Sequence, residues 1–289
     1  MNAFWIILTA SLVSFCCSIL GSFLVLRKIS MIGDAISHAV LPGIVIAFFI
    51  SGSLASLEVL LGASIMGIIC TVLIEFLDKK VKVQSDAAIG MIFTFLFAIG
   101  VILIVTFAGN VDLDQDCVLH GEIAYVPLDL IETGTFLDVL PVQVCILSIV
   151  LIFLLTVVYF GYKGFFLTTF DSEYAASIGI STVFWHYLLM ALVSLTTVVS
   201  FESVGAILVV AFLIVPAATA YLLTNNLSTM ILISCIVGLV SSVLGYYLAV
   251  VIDGSIAGAI SVSMGLVFAI VLLFSPVNGL VIRKLSKRK

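Results

Sequence analysis

The chain predicts an all-α polytopic membrane protein of about nine transmembrane helices, and three observations carry that prediction. Hydrophobic residues make up 63% of the 289 residues and charged ones only 9%, against about 25% charged in an average soluble domain. The apolar residues come in long runs of about 17 to 25, the length a helix needs to cross a bilayer. These runs lack period-two alternation, which excludes an outer-membrane barrel. The net charge of −5 matters less than where the charges fall, and no nucleic-acid partner is expected. The whole of 1–289 reads as one transmembrane domain.

The spans expected in order are 3–26, 36–50, 57–77, 87–108, 139–160, 183–199, 204–223, 229–252 and 256–274. The first is too long for a signal-peptide core and lacks a basic start and a small-residue cleavage site, so it is expected to be retained. The second is short, begins with polar residues and carries Pro42 and Gly43. That is the pattern of a broken or re-entrant helix, so eight full spans plus a half-helix is the other reading. Pro216 and the small residues around it suit a kinked, closely packed seventh span. Six cysteines, Cys16, Cys17, Cys70, Cys117, Cys145 and Cys235, show neither CxxC pairing nor zinc-finger spacing. All but Cys117 lie in apolar runs and read as small core residues.

All eleven Lys and Arg residues fall in four places: Arg27 with Lys28, the run 79–82, Lys163, and the tail 283–289. Two, two and four spans separate successive places, so every basic residue falls on one side, which the positive-inside rule makes the cytoplasm. The N-terminus is then outside and the C-terminus inside.

Asp34 and His38 lie at the start of the second span, four residues apart. On a helix that spacing stacks a carboxylate and an imidazole one turn apart, where both can grip one divalent cation. The plainer alternative is a helix-starting cap and its partner. An ionisable group among apolar runs costs about 2.5 to 3.5 kcal/mol on insertion scales, so it is usually kept for function.

The outer segment 109–138 holds Asp112, Asp114, Asp116, Glu122, Asp129, Glu132 and Asp138 without one Lys or Arg. It reads either as a vestibule attracting cations by its field or as a solvated loop free of positive charge because it crosses the membrane. His120 within it reads either as a metal ligand or, more simply, as an ordinary exposed histidine. The inner segment 161–181 contains a short helix with Asp171 as cap, Glu173 in the first turn, Ala175 and Ala176 as a small face, and Gly179 as the stop. It is either a docking helix or an interfacial connector. Glu202, between apolar runs, either marks a loop or belongs to a pathway through the membrane. His186, flanked by Trp185 and Tyr187, reads as part of an aromatic belt. No GxxxxGK[ST], GxGxxG or HExxH motif is present, so the chain is expected to be a transport subunit and not an enzyme.

The run Leu24-Val25-Leu26-Arg27-Lys28, followed by Gly33-Asp34-Ala35-Ile36-Ser37-His38-Ala39 and Pro42-Gly43, resembles the hallmark of permease subunits of bacterial ABC importers for manganese, zinc and iron. The resemblance extends to 114–127, to 171–179 as the family's coupling helix, and to Gly205 with residues 216–220. His120 departs from it, since aromatic residues are common there in relatives. The resemblance implies a multi-pass protein of the bacterial cytoplasmic (inner) membrane, paired with a second permease chain in a homo- or heterodimer. Cytoplasmic ABC ATPase subunits would dock through Asp171, Glu173, Ala176 and Gly179, and an extracytoplasmic metal-binding protein would deliver the ion. It implies Asp34 and His38 as ligands of the transported Mn2+, Zn2+ or Fe2+, and no permanently bound cofactor. Manganese is the expected cargo, because carboxylates and imidazoles without thiolate are compatible with Mn2+ and the outer segment 114–122 resembles manganese and iron relatives more closely than zinc ones. Two other classes are a stand-alone secondary metal-ion transporter, with Glu202 as a candidate pathway carboxylate, and an intramembrane metalloenzyme.

Overall fold

The computed structural model describes residues 2–52, 57–107, 123–128 and 140–275. Their regular elements are all helical: α1 (Asn2–Leu26), α2 (Met31–Ala39), α3 (Leu41–Ser51), α4 (Leu57–Glu75) running into a π-helical turn (Phe76–Val81), and α5 (Ser85–Phe107). After a short 3-10 turn (Val126–Leu128) come α6 (Val142–Phe170), α7 (Ser172–Ser177), α8 (Thr182–Val204), α9 (Ala206–Leu223), α10 (Leu227–Ile252) and α11 (Ile256–Phe274). Among the described residues nine runs are long and apolar enough to cross a membrane.

Three differences from the spans read from sequence bear on the site. The second span begins at Met31, so Asp34 and His38 lie inside it, and it is interrupted only at Val40, between α2 and α3. Pro42 has no N–H to give the carbonyl of His38, yet Val40 keeps helical angles and donates to Ile36 O. One missing bond kinks the span without halving it. The fifth span does not stop at Phe160: α6 runs on through residues 161–170, the first part of the expected inner segment. Glu202 is helical, in the last turn of α8, and does not mark a loop. The chain turns after it at Gly205, whose φ of 80° suits a residue without Cβ.

The described residues form two compact units. The first draws on Met1–Lys28, His120–Val157 and Glu202–Lys289. In it α1 packs on α9 and α10, and α9, α10 and α11 pack on one another. The seams are built from small residues. Ser14, Ser18 and Ser22 form an i, i+4 stripe along α1, all fully buried. Ser18 Oγ reaches Ser234 O on α10 at 3.4 Å, and a side chain on Gly238 would strike Ser14. A Cβ on Gly21 would collide with the backbone of Leu213 on α9, and one on Gly245 with the backbone of Ile260 on α11. Ser263 Oγ donates to Ser241 O at 2.7 Å. Without a hydrophobic gain between helices in lipid, such close backbone approach and shared hydroxyls supply the cohesion. Just beyond α1, burial pushes the Arg27 guanidinium down to about 10, still protonated at neutral pH, so this helix end keeps its positive charge.

The second unit draws on Ile29–Leu119 and Val158–Phe201. Here α2 and α3 pack on α4 and α5, with Gly43 of α3 and Gly62 of α4 in backbone contact. The end of α4 lies beside the start of α8, through Glu75 and His186, and Ser194 farther along α8 donates to Ser64 O at 3.0 Å. The two helices are therefore antiparallel. Gly161 and Gly164 leave a notch on α6 that the Trp185 ring fills, which is why this stretch stays helical and close to α8 instead of breaking. Lys163 and the run 79–82 consequently flank the same end of α8.

Candidate functional site

On α2 the residues Ile32, Gly33, Ala35, Ile36, Ser37 and Ala39 are buried. The charged positions are left on the open stripe. Asp34 and His38 remain 42% and 41% exposed, and Asp34 Oδ1 stands 3.8 Å from His38 Nε2. That separation is near the about 3.4 Å subtended by two ligands each about 2.1 Å from a tetrahedral metal. The helix is held in this rotation from behind, where Ile36 packs at the Gly67 notch of α4. The His38 ring is set between Phe93 and Phe97 of α5, with centroids at 5.7 and 6.2 Å, one helical turn apart. Ser37 Oγ turns back to the Asp34 carbonyl at 2.5 Å and leaves both carboxylate oxygens of Asp34 free of it. The pair offers two hard-to-borderline donors, and among the described residues no group of three or more His, Cys, Asp or Glu is assembled. Two donors from one chain leave a divalent ion short of its usual four to six.

The inner docking helix has the local form its sequence encodes. Asp171 caps α7, its side chain accepting from Tyr174 N at 2.8 Å. At the other end Gly179, at φ 86°, donates to Ala176 O, and Ile180 N donates to Ala175 O, the 5→2 and 6→1 bonds of a Schellman stop. The small face is divided: Ala175 is buried within the chain, while Ala176 is exposed together with Glu173, Tyr174 and Ile178. Only Ala176 is available to a partner. Glu202 is exposed on α8 and belongs to the other unit. Of the outer segment, only residues 123–128 are described. Ile123, Val126 and Pro127 are buried, in a turn set against α1. His120, Cys117, all seven acidic residues of 109–138 and the basic tail lie outside the described residues.

One polar cluster was not read from sequence. Glu75, at the end of α4, accepts from Lys79 Nζ at 3.0 Å and from Tyr187 Oη at 2.8 Å, and His186 Nε2 lies 2.7 Å from it. His186 is thus in close contact with Glu75, although its ring N–H is not aligned on the oxygen, and it is not a belt residue alone. The available signal was Glu75 itself, an acid inside an apolar span.

Nine apolar spans, one of them interrupted and carrying an open acid and imidazole, define a multi-pass membrane protein. Residues 2–275 match the ABC 3 transport family, and the chain belongs to that family. It is a permease of the inner membrane, a transport subunit, with ATP hydrolysis in such systems residing on separate proteins. Manganese transport system membrane protein MntD of Bacillus subtilis (strain 168) is 46% identical over 281 residues, covering 97% of this chain and 95% of that protein. Zinc transport system membrane protein TroD of Treponema pallidum (strain Nichols) is 45% identical over 283 residues, covering 98% of this chain and 77% of that protein. Among solved structures, PsaBC from Streptococcus pneumoniae in complex with Fab matches with a TM-score of 0.80 at 31% identity, over 99% of this chain and 94% of that one.

Proposed function

We propose that the chain is the permease subunit of an ATP-driven importer of divalent transition-metal ions, with manganese as the cargo, and that Asp34 and His38 ligate the ion in transit. The observation that carries this is the open stripe on α2: a carboxylate and an imidazole 3.8 Å apart on a helix whose other faces are buried. A membrane protein keeps such a pair for an ion pathway. Pairing with a second permease chain doubles the donors to two carboxylates and two imidazoles, enough to replace much of an ion's hydration shell. The exposed face of α7 around Ala176 is the dock for the cytoplasmic ATPase, and the four groups of basic residues put that face, and the C-terminus, inside. An extracytoplasmic binding protein hands over the ion from outside. Glu202 serves as a pathway carboxylate in its own unit.

The relatives named for manganese and for zinc are almost equally similar, so the choice of manganese rests on the resemblance of 114–122 to manganese and iron permeases, with which the donors are compatible. Oxygen and imidazole without thiolate suit Mn2+, but Zn2+ binds the same donors more tightly. Selectivity for manganese therefore falls to the delivering protein and to release kinetics. In vesicles, the chain with its ATPase is expected to accumulate Mn2+ on ATP and to accumulate none without the ATPase. Gradient-driven uptake by the chain alone would instead establish a stand-alone carrier, which family membership does not favour. In cells lacking the gene, a fall in zinc with manganese and iron unchanged would refute the cargo assignment.

A further inference from the structure

Three consecutive residues at the start of α8 meet two other helices, α6 and α4. Trp185 fills the Gly161 and Gly164 notch at the end of α6, the helix that leads into α7. Tyr187 Oη donates to one carboxylate oxygen of Glu75 at 2.8 Å, and His186 Nε2 stands 2.7 Å from the other. Only Ile178 to Ser181 separate α7 from α8, and Gly179 makes the turn between them. The docking helix is therefore mounted between two helices that are fastened near its base, α8 about one turn away and α6 about two.

The Glu75 end of this fastening is half-buried, with hydrogen bonds from Tyr187 and Lys79 and the His186 ring in close contact. Glu75 is 14% exposed and His186 20%, and Lys79 adds a third contact from the π-helical turn that follows α4. Such turns are rare and recur at functional places. A role as a cation site is opposed by Lys79, whose ammonium sits 3.0 Å from the oxygen that also faces His186. What the cluster can do is fix α8 to α4 at one point so that they move together. Farther along the same pair, Ser194 of α8 donates to Ser64 O, and a Cβ on Gly67 would strike Ser194 while standing 3.0 Å from Cγ2 of Ile36. Ile36 lies between Asp34 and His38 on α2. With no side chain at Gly67, α8, α4 and α2 meet directly there.

We infer that Glu75, clasped by His186 and Tyr187, is the positioning residue through which movement of the docked α7 helix reaches the Asp34 and His38 pair. This rests on the importer reading above. Packed elements transmit displacement only where they are held in a discrete arrangement, and a coupling free energy is the measure of that hold. Removing the clasp should leave both the ATPase and the ion site intact and weaken their connection.

The test uses the assembled permease and ATPase in vesicles, with Mn2+ as the ion and with uptake and hydrolysis followed together. Glu75→Gln should hydrolyse ATP at close to the parental rate and half-saturate at the parental Mn2+ concentration. Ions carried per ATP should fall by about fivefold or more. Adding His186→Gln to it should cost little further, because the two act as one unit, and Glu75→Asp should restore part of the coupling. Where Glu75→Gln assembles poorly, Tyr187→Phe, which removes one oxygen, is read in its place with a smaller loss of the same kind. Parental ions per ATP in these variants would overturn the inference, as would uptake and hydrolysis falling in step with thermal stability. If the unsubstituted complex fails to take up Mn2+ on ATP, the importer reading fails and this inference goes with it.

Discussion

The two units of the chain solve the same problem, helix cohesion in lipid, with different chemistry. The unit containing α1, α9, α10 and α11 is held by serines and glycines: the Ser14, Ser18 and Ser22 stripe, and the contacts of Gly21, Gly238 and Gly245. Its helix-borne acid Glu202 is exposed. The unit containing α2 to α5 and most of α8 also uses glycine contacts, at Gly43, Gly62 and Gly67, but adds ionisable groups within spans, Asp34, His38, Glu75 and His186. Charges in spans are costly, and here they form two separate pairs, Asp34 with His38 and Glu75 with His186. The first unit is held mainly by small residues, and the second gives up apolar surface to ionisable groups.

The largest expected effect comes from the open pair of the second unit. Asp34→Asn or His38→Ala removes a proposed ligand while leaving the buried faces of α2 untouched. Loss of a partner one shell farther out typically costs about 10- to 100-fold in metal affinity, so uptake should fall by at least about 100-fold with folding and ATPase binding retained. Normal transport by both variants, measured as ATP-dependent Mn2+ accumulation, would remove the pair from the pathway.

A second test concerns the divided face of α7. Ala176→Arg places a long cation on the exposed side and should break docking, seen as loss of copurified ATPase or as hydrolysis without uptake. Ala175→Arg, on the buried side, should instead unfold the base of the helix and lower the yield of protein. If Ala176→Arg copurifies and transports at the parental rate, the dock lies elsewhere.

For the first unit the sharpest probe is Gly21→Val. Its side chain would run into the Leu213 backbone, and because backbone cannot rotate away, a loss of about 1 to 3 kcal/mol is expected, read as a lower apparent melting temperature in detergent. A value unchanged within error would show that the α1 and α9 seam is looser than drawn. The smallest effects belong to single hydroxyls. Ser263→Ala in one unit and Ser194→Ala in the other each lose one interhelical bond, worth about 0.6 kcal/mol in membranes. Equal stability losses, with transport altered only by Ser194→Ala, would confirm the division of labour.

Much of this was legible from the amino-acid order because it is local. Span count follows from bilayer thickness, and nine runs emerge from either direction. The α7 helix is fixed by Asp171 and Gly179 through bonds no more than five residues long, and the Asp34 and His38 spacing follows from one turn of helix. The misjudged boundaries are also instructive. Gly161 and Gly164 suggest a helix end until the Trp185 ring is seen to fill them, and Glu202 suggests a loop because an acid in a span is otherwise unfavourable.

What tertiary structure alone decided lies between residues far apart in the chain. Glu75 meets Tyr187 across 112 positions, and no periodicity or cap in either segment names the other. Ala175 and Ala176 are the same residue type side by side, and only packing decides which is buried. The open stripe of α2 is likewise set by its neighbours, since Gly67 and the Phe93 and Phe97 rings determine which way the helix is turned. Sequence order determined which segments are helical and which residues can bind an ion, because backbone hydrogen bonds and bilayer length act locally. Packing decided which of those residues face outward and which are tied together, because that depends on side-chain volumes brought into contact only when the helices assemble.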